Sequence, residues 1–136
     1  MSLPDGSYQI FSMLKSSRGK QLRIARRPDS LIVVDDYSEA IVRLSKTGED
    51  KYTIRFPHRF DECFGPSEDV SEDNRVFSRS GEYEWSIYSI GNNRYKIHVP
   101  ANDLYWQLPD GAENESQIFL VNSEGTYGEF WNFKRK

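Results

Sequence analysis

The sequence predicts an all-β protein, and two observations support this fold class. Twelve short runs have strand character, with polar and apolar residues in alternation, and no stretch carries an apolar stripe at helical spacing. Clusters of Gly, Pro, Asn and Asp separate these runs, as turns between strands do; examples are "TGED", "GNN" and "LPDGAENES". A chain of 136 residues fits one domain, so we expect a single domain over 1–136.

The predicted strands fall into three groups of four along the chain. The first group is "SYQIFS", "KQLRIA", "SLIVVD" and "AIVRLS", in which Ile, Leu and Val supply the β-branched or aliphatic positions. The second is "KYTIRF", "FDECF", "RVFSRS" and "EWSIYS", whose two middle runs have the weakest alternation. The third is "RYKIHV", "DLYWQL", "SQIFLV" and "FWNFKR", which combine aromatic with aliphatic residues.

A threefold repeat indicates how these strands are arranged. A Tyr-x-Ile pattern occurs three times, at spacings of 44 and 43 residues, beginning at Tyr8, Tyr52 and Tyr95. A second apolar pair follows each tyrosine after 34, 33 and 36 residues, as Val42 and Leu44, Trp85 and Ile87, and Trp131 and Phe133. Three four-stranded units with inward-pointing pairs predict a β-trefoil, a six-stranded barrel with a cap of three hairpins.

The repeat also sets the expected unit limits and separates the trefoil from its main alternative. We expect units over residues 6–49, 50–92 and 93–136. A β-sandwich of the immunoglobulin type would also show short strands at regular spacing. It would not predict a threefold recurrence of both markers, so the repeat favours the trefoil.

Composition argues against several functional classes. The net charge of −3 and the pI near 5.4 provide no broad basic surface, so we expect no nucleic-acid partner. Cys63 is the only cysteine, which excludes an internal disulfide. No segment has the apolar length of a signal peptide or a membrane span. We therefore expect a cytoplasmic monomer that does not enter a membrane, with unconventional secretion as an alternative.

Three segments give the chain a family resemblance. The opening "MSLPDGSYQI", the central "YEWSIYSIGNNRYKI" and the closing "EFWNFKRK" resemble the β-trefoil protease inhibitors of basidiomycete fungi. These are the mycospin-type inhibitors of serine proteases and, more distantly, the mycocypin inhibitors of cysteine proteases. The resemblance implies a β-trefoil that blocks a protease with surface loops, and different members use different loops.

The first candidate site is the loop from Ala25 to Asp29, between the second and third strands, which some mycospin-type inhibitors use. It carries Arg26, Arg27 and Pro28, and a trypsin-like protease accepts one arginine in an acidic pocket. Pro28 would stiffen the loop. Because Pro28 would occupy the leaving-group side if Arg27 were inserted, the sequence favours Arg26 as the contact. The alternative is a solvated loop with incidental charges.

A second candidate is Arg18 in "SSRGK", followed by Gly19, which allows close backbone approach. Mycocypins use loops of this region against papain-like enzymes. We favour the simpler interpretation, a hairpin turn.

The alternative function is that of a carbohydrate-binding trefoil. "NDLYW" supplies Asn102, Asp103, Tyr105 and Trp106, which are residue types that bind sugars. Trp106 could equally close the bottom of the barrel, and the Gln-x-Trp signature of ricin-type repeats is missing.

An enzyme is the least favoured class. His58 and His98 have no metal-ligand spacing, Cys63 has the character of a small buried hydrophobe, and residues 66–74 lack the pattern of a calcium loop. No motif implies a cofactor or a metal. The sequence thus predicts an inhibitor with a protease as its partner, or, failing that, a lectin with a glycan partner.

Overall fold

The computed structural model describes residues 3–27, 30–36, 40–57, 62–66, 74–100 and 102–136. Within them the chain forms twelve strands, each overlapping one of the predicted runs. In chain order they are β1 (Gly6–Lys15), β2 (Gln21–Arg27), β3 (Ser30–Val34), β4 (Val42–Gly48), β5 (Lys51–Arg55), β6 (Glu62–Pro66), β7 (Val76–Ser80), β8 (Trp85–Gly91), β9 (Arg94–His98), β10 (Leu104–Gln107), β11 (Phe119–Asn122) and β12 (Trp131–Arg135). A short 3-10 helix, Tyr127–Glu129, precedes β12.

Six of these strands close into a barrel. β1 pairs with β4, β4 with β5, β5 with β8, β8 with β9, β9 with β12, and β12 with β1, and every pair is antiparallel. A closed ring leaves no free edge and cannot be a two-sheet sandwich. The predicted β-trefoil is therefore confirmed.

The other six strands form three hairpins, β2–β3, β6–β7 and β10–β11. Backbone hydrogen bonds join the hairpins to one another. Val33 N–H donates to the Ser116 carbonyl at 2.9 Å, and Val76 N–H donates to the Ile118 carbonyl at 3.0 Å. The three hairpins thus cap the barrel as one connected layer.

The repeated residue pairs face each other across neighbouring barrel strands. Tyr8 lies opposite Val42, Tyr52 opposite Trp85, and Tyr95 opposite Trp131. All are buried except Tyr95, which is half-buried and packs edge-on against Phe133. The tyrosine of the Tyr-x-Ile pattern and the first residue of the second apolar pair thus meet in the same contact between strands in all three units. The predicted unit limits stay a prediction.

Tryptophan side chains connect the barrel to its cap. The indole N–H of Trp85 donates to the Phe64 carbonyl at 2.9 Å, and that of Trp131 donates to the Trp106 carbonyl at 3.1 Å. Val42 holds the equivalent position in the first unit and has no group that could make this bond. This hydrogen bond between the barrel and its cap is therefore present in the second and third units.

Two tyrosine hydroxyls hold the N-terminal segment against the barrel. Tyr8 donates to the Pro4 carbonyl at 2.7 Å, and Tyr52 donates to the Leu3 carbonyl at 2.8 Å. Leu3 is itself buried against the core. The segment before β1 therefore belongs to the barrel packing, and both hydroxyls obtain the partner that burial requires.

The indole bond of Trp131 gives a testable difference between two buried tryptophans. Trp106 is also fully buried, but its indole nitrogen has no hydrogen-bond partner among the described residues. Trp131→Phe and Trp106→Phe remove the same volume, and only the first removes a hydrogen bond. We expect Trp131→Phe to lower the free energy of unfolding by about 1–2 kcal/mol more than Trp106→Phe. Denaturant titration measures both, and equal losses would contradict this assignment.

Candidate functional site

The β2–β3 hairpin is longer, and its loop shorter, than the sequence predicts. The strands stay paired from Arg23 opposite Val34 to Arg27 opposite Ser30. Arg26 and Arg27 thus lie within strand β2, and the predicted loop from Ala25 to Asp29 is wrong at its start. Two residues, Pro28 and Asp29, connect the strands and lie outside the described residues.

Strand alternation separates the two arginines. Leu22, Ile24 and Arg26 lie on the face of β2 that packs on the core, whereas Arg27 lies on the opposite face. The Arg26 side chain is 27% exposed, and its Nη2 lies 3.6 Å from Glu62 Oε2 on the neighbouring hairpin. Its Nε is buried and lacks a partner among the described residues. The Arg26 side chain therefore packs against the neighbouring hairpin and does not extend into solvent.

Arg27 is the more exposed cation of the pair. Its side chain is 44% exposed, and its Nη2 lies 2.8 Å from Glu115 Oε1, which belongs to an exposed side chain. Its Nη1 also donates to the Arg26 carbonyl at 3.0 Å. Nε donates to the same Glu115 oxygen at 2.9 Å. Because both side chains are solvent-exposed, the ion pair contributes about 0–1 kcal/mol, and a partner that binds Arg27 would have to replace these contacts.

Arg18 lies in the turn between β1 and β2, where Gly19 has a φ of +74°. Its side chain is 62% exposed, yet Nη2 donates to both carboxylate oxygens of Asp35 at 2.8 Å. The Asp35 side chain is 3% exposed. The hydrogen bond from Arg18 lowers the pKa of Asp35, outweighing the effect of burial. Arg18 thus ties the turn to the end of the first hairpin.

The sugar-binding group predicted at residues 102–106 does not come together as one platform. Tyr105 and Trp106 point to opposite faces of β10, and Trp106 is fully buried between Trp85 and Trp131. Tyr105 packs on His98 and lies within hydrogen-bond distance of the Tyr88 hydroxyl at 3.3 Å. Asn102 and Asp103 are exposed. Trp106 is a core residue, so it cannot stack on a ligand at the surface.

A groove that the sequence analysis did not find lies on the outer face of the β10–β11 hairpin. Its volume is about 330 Å³, and its lining is Asn74, Gln107, Pro109, Asp110, Phe119, Val121, Glu124 and Thr126. Gln107 pairs with Phe119 across the two strands, and Val121 pairs with Tyr105. Because side chains alternate along "LYWQ", Gln107 is expected to face outward together with Tyr105. The other walls of the groove come from segments that are distant in the sequence, so the pattern does not predict them.

The buried carboxylate of Glu129 holds one wall of this groove. It accepts hydrogen bonds from the Ser123 hydroxyl at 2.7 Å, from Glu124 N–H at 2.6 Å and from Thr126 N–H at 3.2 Å, and Lys96 Nζ lies 3.3 Å away. Burial raises the pKa of Glu129, but these partners outweigh burial and lower it. The loop before β12 is therefore fixed from inside.

Cys63 and His98 are in structural positions. Cys63 is buried, and burial raises the pKa of its thiol, which favours the inert form. His98 Nδ1 lies 2.8 Å from the Val99 carbonyl, and His58 lies outside the described residues. In the part of the chain that the structure describes, no three His, Cys, Asp or Glu side chains are grouped to hold a metal. No helix there has the length and apolarity to cross a membrane.

Comparison with known proteins supports the fold. No family model matches the chain, and no curated protein sequence does. Among solved structures, the Macrolepiota procera ricin B-like lectin in complex with lactose is 18% identical, with all of both chains covered and a TM-score of 0.76. A proteinase inhibitor from Coprinopsis cinerea is 16% identical over 99% of this chain and 100% of that one, with a TM-score of 0.72.

A third similar structure, the Rhizoctonia solani agglutinin, is 16% identical over 100% of this chain and 99% of that one, with a TM-score of 0.76. These neighbours are fungal β-trefoil proteins, and they include lectins and an inhibitor, which are not enzymes. At such identities the similarity shows the β-trefoil fold alone.

The Arg18–Asp35 contact predicts an acid-dependent contribution to stability. Because the folded-state pKa of Asp35 lies below its ordinary value of 3.8, the contribution is complete above that pH and is lost as the pH falls through the lowered value. Arg18→Ala should raise the Asp35 pKa and lower stability near neutral pH, and the difference from wild type should shrink in acid. Carboxyl NMR titration measures the pKa, with Arg43→Ala as control; an unchanged Asp35 pKa in Arg18→Ala would contradict the contact.

Proposed function

We propose that this chain is a protein inhibitor of trypsin-like serine proteases, and that Arg27 at the end of the β2–β3 hairpin enters the acidic specificity pocket. The observation that carries the proposal is an exposed arginine at the last paired position of a hairpin built into the cap. Trypsin-like enzymes recognise one arginine or lysine through an aspartate at the base of that pocket.

The anchoring of the hairpin supports this proposal. Leu22, Ile24, Leu31 and Val33 are each at most 1% exposed and hold both strands in the core. A segment that is already ordered loses little conformational freedom when it binds, which favours tight association. Arg27 therefore stands on a rigid support, and the contacts it would exchange are the exposed pair with Glu115 and the hydrogen bond to the Arg26 carbonyl.

Pro28 bears on how the protease would be blocked. If Arg27 fills the specificity pocket, the next peptide bond joins Arg27 to Pro28. Proline has no backbone N–H and its ring fits the leaving-group side poorly. The proposed mode is therefore occlusion of the active site by a hairpin whose scissile position resists cleavage.

Protease inhibition is proposed ahead of glycan binding at residues 102–106 because Trp106, the largest aromatic residue of that group, belongs to the core. The resemblance of the opening, central and closing segments to mycospin-type inhibitors supports the same choice. The structural similarity to the Coprinopsis cinerea proteinase inhibitor is compatible with it.

Replacement of single arginines tests the contact residue. Arg27→Ala should weaken inhibition of trypsin by about 30-fold or more, because an arginine at the centre of an interface contributes about 2 kcal/mol or more. Arg26→Ala and Arg43→Ala, the latter at an exposed position on β4, should retain wild-type inhibition. The inhibition constant is measured with a chromogenic substrate. No inhibition by micromolar wild-type protein, or loss in Arg26→Ala but not in Arg27→Ala, would refute the assignment.

Pro28→Ala tests the proposed resistance to cleavage. The substitution restores an N–H after Arg27 and an ordinary peptide bond at that position. We expect trypsin to cleave this variant after Arg27 and inhibition to decline during incubation, whereas the wild-type chain stays intact. Mass spectrometry of the reaction detects the two fragments. A variant that remains uncleaved while inhibiting fully would show that Pro28 is not the protective feature.

A further inference from the structure

The charged residues of this chain are segregated between the barrel wall and the rest of the fold. The chain has 21 acidic and 18 basic residues, yet none of the acidic ones lies on the six barrel strands, all of which the structure describes. Those strands carry nine of the basic residues, namely Lys15, Arg43, Lys46, Lys51, Arg55, Arg94, Lys96, Lys134 and Arg135. Charge grouped in this way gives the barrel wall a positive field although the net charge is negative.

Arg94 on β9 is a cation of this wall without a counter-charge. Among the described residues no carboxylate pairs with its guanidinium, whose central carbon lies 5.4 Å from the centre of the Tyr127 ring and 5.8 Å from that of the Phe130 ring. Lys96 is compensated, because its Nζ lies 3.3 Å from the buried carboxylate of Glu129. The positive charge at this place is therefore that of Arg94.

The aromatic support of Arg94 is fixed before any partner binds. Tyr127 opens the 3-10 helix, and Phe130 N–H donates to its carbonyl at 3.1 Å. The two rings also pack edge to face, with their centroids 6.0 Å apart. An arginine held over aromatic rings keeps its planar set of N–H donors available, and it loses less side-chain freedom when it binds.

The apolar surface beside Arg94 is exposed. Ile90 and Tyr127 are 42% and 57% exposed, the highest values of any large hydrophobic residue among those described. Arg94 lies over the Tyr127 ring, and Ile90 lies in the β8–β9 pairing next to Gly91, which is opposite Arg94. Tyrosine and arginine are among the residue types that carry most of the binding energy between proteins. This combination indicates a protein-binding surface.

The chemistry of this surface selects the partner. A carboxylate can accept two hydrogen bonds from one guanidinium, and an apolar side chain next to that carboxylate would cover Ile90 and Tyr127. The closed barrel has no free strand edge to which a peptide could pair, so recognition depends on side chains. An extended polyphosphate is disfavoured, because the acidic residues outside the wall would repel it.

We propose that the surface formed by Ile90, Arg94 and Tyr127 docks a partner protein through a segment that presents an aspartate or glutamate beside an apolar residue. The carboxylate pairs with the Arg94 guanidinium, and the apolar side chain lies on Ile90 and Tyr127. This surface belongs to β8, β9 and the 3-10 helix, whereas the proposed protease contact belongs to the β2–β3 hairpin. The two proposals can therefore fail independently.

NMR titration of the full-length chain at constant ionic strength tests the proposal with three probes. These are the peptide Ac-Leu-Asp-Glu-Leu-NH2, its neutral counterpart Ac-Leu-Asn-Gln-Leu-NH2, and inorganic phosphate. At concentrations up to about 5 mM, which detects weak binding, the acidic peptide should shift the amide signals of Ile90 and Tyr127 and the side-chain Nε–H signal of Arg94. The neutral peptide should bind about tenfold more weakly or less, because it lacks the charge.

Variants test whether Arg94 is the contact. Arg94→Gln should weaken binding of the acidic peptide about tenfold or more, because it removes the charged donor. Arg43→Gln, the same change at an exposed position of β4, should leave binding unchanged. Arg94→Lys keeps the charge but loses the planar donors, so its affinity should fall between those of wild type and Arg94→Gln. Unchanged indole signals of the buried Trp85 and Trp131 show that each variant keeps the fold.

Trypsin inhibition measured on the same samples separates the two proposals. Arg94→Gln should inhibit trypsin as wild type does, and Arg27→Ala should bind the acidic peptide as wild type does. The docking proposal is overturned if the acidic peptide shifts none of the three residues, if binding persists undiminished in Arg94→Gln, or if Arg43→Gln loses as much. It is also overturned if phosphate or the neutral peptide binds this surface as tightly as the acidic peptide.

Discussion

The alternation of side chains along strands that a closed barrel holds in register is the constraint on which the rest of the structure depends. On β2 and β3, a shift of one residue would move Leu22, Ile24, Leu31 and Val33 from the core to the opposite face. On β2 the same shift would bring Arg23 and Arg27 to the core face, and burying charged side chains in an apolar core is costly, so the register is strongly specified. Each remaining side chain on the hairpin is consequently assigned to one face.

The same rule explains both candidate binding surfaces. On the first hairpin it turns Arg26 toward Glu62 and leaves Arg27 outward. On β9 it places Ile97 in the core and Arg94 on the outer face. Core positions and recognition positions thus alternate on the same strands. The barrel can stay constant while the outward residues set what each surface binds.

The sequence predicted the fold well because its signals can be read along the chain. Alternating runs and turn residues depend on neighbours within a few positions, and the Tyr-x-Ile pattern shows itself by its regular spacing of 43 to 44 residues. The site was harder to predict because it depends on pairing between distant segments. The position at which the β2–β3 turn begins decides whether Arg26 or Arg27 is exposed. The groove is formed where Asn74 meets residues 107–126, which are distant from it in the sequence. A tryptophan suits both a sugar platform and a core, so the residue type of Trp106 does not by itself decide between them.

A crystal structure of this chain bound to trypsin tests most directly the claim that strand alternation presents Arg27 to a protease, since it shows which side of the hairpin the protease contacts. We predict the Arg27 guanidinium in the acidic pocket, with Arg26 still beside Glu62 and the β2–β3 pairing unchanged. Arg26 in the pocket with a shifted register, or another segment of the chain in the active site, would contradict it.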